Sequence, residues 1–62
     1  MLEWLRAIRK EKNLRQTEVA RAAKISQPSY HNIEYGNRRP SVETAKRIAE
    51  CLDFEWTKFF QS

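Results

Sequence analysis

The chain has 62 residues, a single cysteine, and 12 Lys+Arg against 8 Asp+Glu, for a formal charge of +4 and a pI of about 9.6. That length allows one domain around one small core, so residues 1–62 are expected to form a single unit with no separate catalytic or ligand-binding module. The lone Cys51 excludes an intramolecular disulfide and a multi-cysteine zinc site, which suits a reducing cytoplasm, and the positive balance fits either a nucleic-acid partner or a plain solvated basic surface. Apolar runs never exceed two residues, as at Ala22-Ala23 and Phe59-Phe60, so neither a membrane span nor a signal-peptide core is seen. With one glycine and two prolines there is no flexible linker or low-complexity tract.

In chain order, the first helix is expected over Leu2–Lys12, with Leu2, Leu5 and Ile8 on one face and Trp4 at its edge. Arg9 lies i+4 from Leu5, so its side chain starts inside that apolar stripe. Asn13, which tolerates a left-handed backbone, ends the helix, and Leu14 plugs the core from the loop. The second helix spans Gln16–Ala23, turning Val19, Ala20 and Ala23 inward, and the small alanines admit a close neighbour. After the turn at Lys24-Ile25, Ser26 is a good N-cap for a third helix over Gln27–Tyr35. Pro28 fits the first helical turn, which has no use for its N–H. Gly36, the only glycine, supplies a left-handed stop. A basic loop, Asn37-Arg38-Arg39-Pro40, leads to Ser41, the cap of a fourth helix over Val42–Leu52. Val42, Ala45, Ile48, Ala49 and Leu52 form its expected apolar face. A last short helix, Glu55–Gln61, carries Trp56, Phe59 and Phe60 at i, i+3 and i+4. The expectation is all-α: five short helices with no strand signal.

The outward side of the third helix holds the most chemistry. Tyr30 and Ile33 set its inward direction at about 100° per residue. The opposite side then carries Pro28, His31, Asn32 and Tyr35, with Gln27 at its N-terminal edge. Glutamine and asparagine can each pair with the N6 and N7 atoms of adenine, and Pro28 can pack on a thymine methyl. On these residues alone the face is either a base-reading surface or ordinary exposed polar surface.

The spacing from Gln16 to Gly36 suits a helix-turn-helix, and the stretch resembles the Cro and phage-repressor type, the XRE family. The residues that carry the likeness are Leu14, Gln16, Glu18, Val19, Ala20, Ile25, Ser26, Gln27, Ile33, Glu34, Gly36 and Pro40, and Ile33-Glu34-Tyr35-Gly36 followed by Arg-Arg-Pro-Ser is its most specific part. Ile48-Ala49-Glu50-Cys51-Leu52 extends it into the fourth helix. The resemblance implies a compact repressor-like domain whose second and third helices form the helix-turn-helix. It implies that Gln16 bonds a DNA phosphate and braces the first side chain of the recognition helix. Gln27, Pro28 and Asn32 then occupy base-reading positions, with His31 on the same side, and Ser29 reaches base or phosphate. Tyr35, Asn37 and Arg38 lie where such proteins touch the sugar-phosphate backbone, with Arg39 close by. Arg9 and Glu34 match a partly buried ion pair. Their i+4 spacing from Leu5 and Tyr30 separately draws both charges toward the core. The chain departs from the pattern at Arg15, where a capping Thr or Ser is usual, and at Lys24, where glycine is usual. Arg15 is positioned to contact phosphate instead.

One histidine and one cysteine twenty positions apart supply neither a structural zinc site nor an oriented nucleophile, so neither an enzyme nor a cofactor is expected. Cys51 falls about 120° from the apolar centre of its helix, at a buried edge or an interface. Trp56, Phe59 and Phe60 either close the core or, with Cys51 and Trp4, form a dimer contact. The expected function is therefore a sequence-specific regulator that binds double-stranded DNA as a homodimer, most simply a repressor acting on an inverted repeat. It would be bacterial or phage-encoded and cytoplasmic, with no membrane partner or small-molecule ligand. The rival is a protein-partner adaptor, antitoxin-like or fused to a larger regulator, in which DNA binding is secondary.

Overall fold

The computed structural model describes residues 1–61. They form α1 (Glu3–Glu11), α2 (Gln16–Ala22), α3 (Gln27–Glu34), α4 (Val42–Leu52) and a 3₁₀ turn (Trp56–Phe60), with no strand among the described residues. None of these helices is long and apolar enough to cross a membrane. The fold is all-α, as the periodicities predict.

The helix ends explain why the connections are short. Each α-helix is followed by one left-handed residue: Asn13, Lys24, Gly36 and Asp53, with φ of 58°, 62°, 81° and 61°. In each case the next residue donates its N–H back into the helix just ended. The bonds are Leu14 to Arg9, Ile25 to Ala20, Asn37 to Asn32 and Phe54 to Ala49, at 2.9–3.2 Å. This six-to-one closure satisfies orphan carbonyls and reverses the chain. Leu14, Ile25 and Phe54, the residues just past three of these turns, pack against the core. Lys24 does adopt the left-handed conformation that glycine would hold without strain. A left-handed non-glycine residue costs about 1–2 kcal/mol.

Helix starts are set by side chains where the sequence supplies them. Ser26 Oγ accepts from Ser29 N–H and Ser41 Oγ accepts from Thr44 N–H, both at 3.2 Å. Arg15 offers no such acceptor, but the Glu18 carboxylate reaches back to the Arg15 N–H at 2.8 Å. Half of a capping box thus survives the loss of the usual Thr or Ser.

The core joins Leu5 from α1, Val19, Ala20 and Ala23 from α2 and its end, Tyr30 and Ile33 from α3, and Ile48 and Leu52 from α4. Fully burying a side chain such as Leu5 or Ile48 contributes about 1.5–3 kcal/mol. The alanines do the spacing: α2 packs on both α3 and α4, and Ala20, Ala23, Ala45 and Ala49 are all buried. At the chain start, Leu2 N–H donates to the Glu34 carbonyl at 2.7 Å, tying the entry of α1 to the exit of α3.

Two expectations are corrected. Val42 does not join the apolar face of α4; it is 51% exposed at the first turn, beyond the packed surface. The last element is a five-residue 3₁₀ turn, Trp56–Phe60, not an α-helix over Glu55–Gln61. So short a segment gains little from α-type bonds, and the tighter i to i+3 pattern, seen as Lys58 N–H to the Glu55 carbonyl at 3.0 Å, takes over.

Candidate nucleic-acid interface

The inner side of α3 is anchored by a buried ion pair. Glu34 is 1% exposed, and Arg9 grips it at two points: Nε to Oε2 at 2.8 Å and Nη2 to Oε1 at 3.0 Å. A third donor, Arg9 Nη1, bonds the Leu14 carbonyl at 2.9 Å, so the same guanidinium also holds the loop between α1 and α2. The bidentate fork fixes geometry as well as charge. Burial pushes the Glu34 carboxyl up, yet the hydrogen bonds from Arg9 and Gln16 outweigh it and hold the group below its ordinary range. The hydrogen bond to Glu34 likewise raises Arg9. Tyr30 Oη lies near this pair, buried, at a geometry that completes no hydrogen bond. Burial first, then the Glu34 charge, raises the Tyr30 hydroxyl and keeps it protonated.

From this pair a polar chain runs outward. Gln16, at the start of α2, donates Nε2 to Glu34 Oε1 at 3.2 Å. Its Oε1 accepts from Gln27 Nε2 at 2.8 Å, at the start of α3, and lies 3.2 Å from His31 Nδ1. His31 in turn stacks on Tyr35 one turn later, with centroids 4.2 Å apart and planes 25° from parallel. A core charge is therefore linked to the surface of α3 through three elements. In the sequence these residues are 9, 16, 27, 31 and 34, and periodicity within a helix predicts none of the bonds between helices.

The remaining sequence-derived candidates fall in three places. Pro28 and Tyr35 are exposed on the outward face of α3, with Gln27, His31 and Asn32 half-buried beside them. Ser29 sits at the flank of that face, where Ser26 Oγ donates to its Oγ at 2.9 Å. Asn37, Arg38 and Arg39 are exposed in the loop after α3, and Arg15 is exposed ahead of α2. The Asn32 carbonyl accepts from both Asn37 and Arg38 N–H at 2.9 and 3.2 Å, so the basic loop is held to the end of α3 by its backbone.

Sequence reasoning missed some neighbours. Lys10 and Thr17 line the open groove that Arg15 and Gln16 share, and Thr44 lines the one between Ser29 and Arg38-Arg39. The Ser41-x-x-Thr44 spacing was a local signal for the second groove. Nothing local places Lys10 beside Gln16.

The four dimer candidates divide. Phe59 packs into the core with Trp4 and Phe54, ring centroids 5.2–5.6 Å apart and edge-on. Trp56 and Phe60 pair with each other at 6.1 Å. Lys46 lies 5.0 Å over Trp56 and Arg39 5.6 Å over Phe60. Cys51 sits about 140° around α4 from Lys46 by helical angle. It packs half-buried on the core, where burial, and next the Glu18 charge, raise its thiol and keep it protonated. Among the described residues no cluster of His, Cys, Asp and Glu is arranged to hold a metal ion.

Over 61 residues, 98% of this chain, the sequence is 49% identical to a Bacillus subtilis protein described as the uncharacterized HTH-type transcriptional regulator YqaF, of which the match covers 80%. It is 43% identical over 47 residues to the ImmF control region 10 kDa protein of Bacillus phage phi105, and 41% identical over 49 residues to the HTH-type transcriptional regulator DdrOP3 of Deinococcus deserti. Those matches take in 76% and 79% of this chain but only 52% and 38% of the two relatives. No solved structure matches the chain. The helix-turn-helix family model HTH_3 matches residues 5–59, from the first core leucine to the last core phenylalanine. The chain therefore belongs to the helix-turn-helix family, of the XRE type found in DNA-binding transcriptional regulators.

Proposed function

We propose that this chain is a sequence-specific double-stranded-DNA-binding transcriptional regulator, a repressor that binds an inverted repeat as a homodimer with α3 in the major groove. One observation carries the reading: the outward face of α3 is braced by the Arg9–Glu34–Gln16 chain and flanked by cations. A helix entering the groove reads bases mainly with its N-terminal residues, which here are Gln27, Pro28, His31 and Asn32. Gln16, Arg15, Ser29, Tyr35, Asn37, Arg38 and Arg39 surround them as backbone contacts. Phosphate contacts orient the protein and base contacts specify the site. The names of the relatives, two regulators and a phage control-region protein, support a regulatory role in a bacterium or phage. A dimer through Trp56 and Phe60 would set two recognition helices about 34 Å apart, one turn of the duplex.

A second reading, a protein-partner adaptor, is favoured by Trp56 and Phe60, which lie outside the core cluster under Lys46 and Arg39. That corner would equally hold a protein partner, and DNA binding would then be secondary. Selecting bound duplexes from a random pool at two salt concentrations separates the two. The regulator reading expects an inverted repeat and an affinity that falls steeply with salt. Recovery of unrelated sequences by a monomeric protein would sink it and favour the adaptor.

A further inference from the structure

Three side chains meet at one oxygen, and their chemistry fixes more than position. An ionised carboxylate only accepts hydrogen bonds, so the Gln16 amide must turn its Nε2 toward Glu34 Oε1, 3.2 Å away. The Gln16 oxygen is thereby committed to the other side. An amide oxygen has two acceptor positions. Gln27 Nε2 takes one at 2.8 Å and His31 Nδ1 faces the other at 3.2 Å. Two acceptors cannot share a hydrogen bond, so His31 Nδ1 must carry a proton. A neutral imidazole has only one N–H, and its Nε2 is then bare. The stack on Tyr35 at 4.2 Å pins the ring plane, and the Gln16 bond is the only side-chain hydrogen bond of His31 among the described residues.

A bare ring nitrogen accepts. In the major groove the amino groups of adenine and cytosine donate, whereas guanine offers N7 and O6 and thymine offers O4, all acceptors. We propose that His31, held in its Nδ1–H form by Gln16, is a specificity-determining residue that selects an amino base over a keto base at one position of each half-site. This inference rests on the DNA-reading role proposed above. The buried pair contributes at a distance: Arg9 and Glu34 orient Gln16, Gln16 orients the proton on His31, and that proton decides which base edge is accepted.

Two measurements on the full chain test the proposal. Nitrogen-15 NMR of the free protein at about pH 8, above the ordinary histidine range, reads the tautomer directly. The expected result is Nδ1–H in the parent protein and a shift toward Nε2–H in Gln16→Ala. An Nε2–H or doubly protonated ring in the parent overturns the proposal. Duplex selection then compares the parent with His31→Asn, which keeps a donor near Gln16 and loses the distal acceptor, and with His31→Ala. Both variants should lose about fivefold preference for an amino over a keto base at one position per half-site, the worth of one such hydrogen bond, and keep the rest of the site. An unchanged site in both variants overturns this inference alone. A parent protein that selects no sequence at all overturns the DNA-reading role and this inference together.

Discussion

Around α3 the interactions are directional: a two-point ion pair, a glutamine with both ends bonded, a histidine with one nitrogen committed. Around the 3₁₀ turn they are not. Trp4, Phe54 and Phe59 pack edge to face, Trp56 leans on Phe60, and Lys46, Arg39 and Lys58 rest over rings at 5.0–5.6 Å. A partly exposed cation over a ring adds about 0.5–1 kcal/mol and tolerates many orientations. A buried ion pair adds little net stability but permits few arrangements. The interactions around α3 thus hold side chains in set directions, whereas Trp4, Phe54 and Phe59 close the core without doing so.

Breaking the pair should have the largest effect. Arg9→Ala leaves the Glu34 charge buried and unpaired, at an expected loss of about 3–5 kcal/mol in denaturant unfolding. Replacing both partners by apolar residues, Arg9→Met with Glu34→Leu, should recover most of that stability while still weakening site selection, because Gln16 loses its anchor. Recovery of stability and full selectivity together would break the distinction between the two regions.

Acid acts on the same pair more gently. The folded Glu34 carboxyl sits below its unfolded value, so the unfolded state binds more protons as the pH drops. The stability this group contributes is complete above the ordinary glutamate range of about 4.3 and is lost as pH falls through the lower folded value. Stability measured against pH should show that acid loss in the parent and a flatter profile in Glu34→Gln.

Phe59→Ala probes the other region. Removing a half-buried ring should cost about 2 kcal/mol, less than a fully buried one, and leave the selected DNA site unaltered. The smallest expected change is a gain: Lys24→Gly should relieve left-handed strain and raise stability by about 0.5–1 kcal/mol after the added freedom of the unfolded glycine.

Much of the fold was legible because its signals are local. Ser26 and Ser41 cap the helices that begin just after them, Gly36 ends α3, and the angles of Tyr30 and Ile33 give the phase of its outward face. Lys24 was recognisable as a turn residue out of character, and it is left-handed as that position requires. Asp53 was not, since nothing in its neighbourhood separates a left-handed aspartate from an ordinary break. Val42 shows the limit of helical angle, which tells the side a residue faces but not how far the neighbouring helix extends. The 3₁₀ turn keeps its aromatic spacing, and its shortness decides the backbone. In the site, the Arg9–Glu34 partnership could be read from two separate i+4 relations and the family resemblance. The link from His31 to Gln16 could not, because it joins residues fifteen apart on different helices and exists only once α2 and α3 are packed.

The central claim is that the outward face of α3 reads bases while the basic loop grips the backbone. Asn32 and Arg38 stand on the two sides of that division. The direct measurement is duplex selection with Asn32→Ala beside Arg38→Ala, each titrated at several salt concentrations. Asn32→Ala should relax preference at one position of each half-site. Arg38→Ala should weaken all sequences alike and flatten the salt slope by about one unit. An unchanged site with Asn32→Ala, or a change in base preference with Arg38→Ala, would contradict the account.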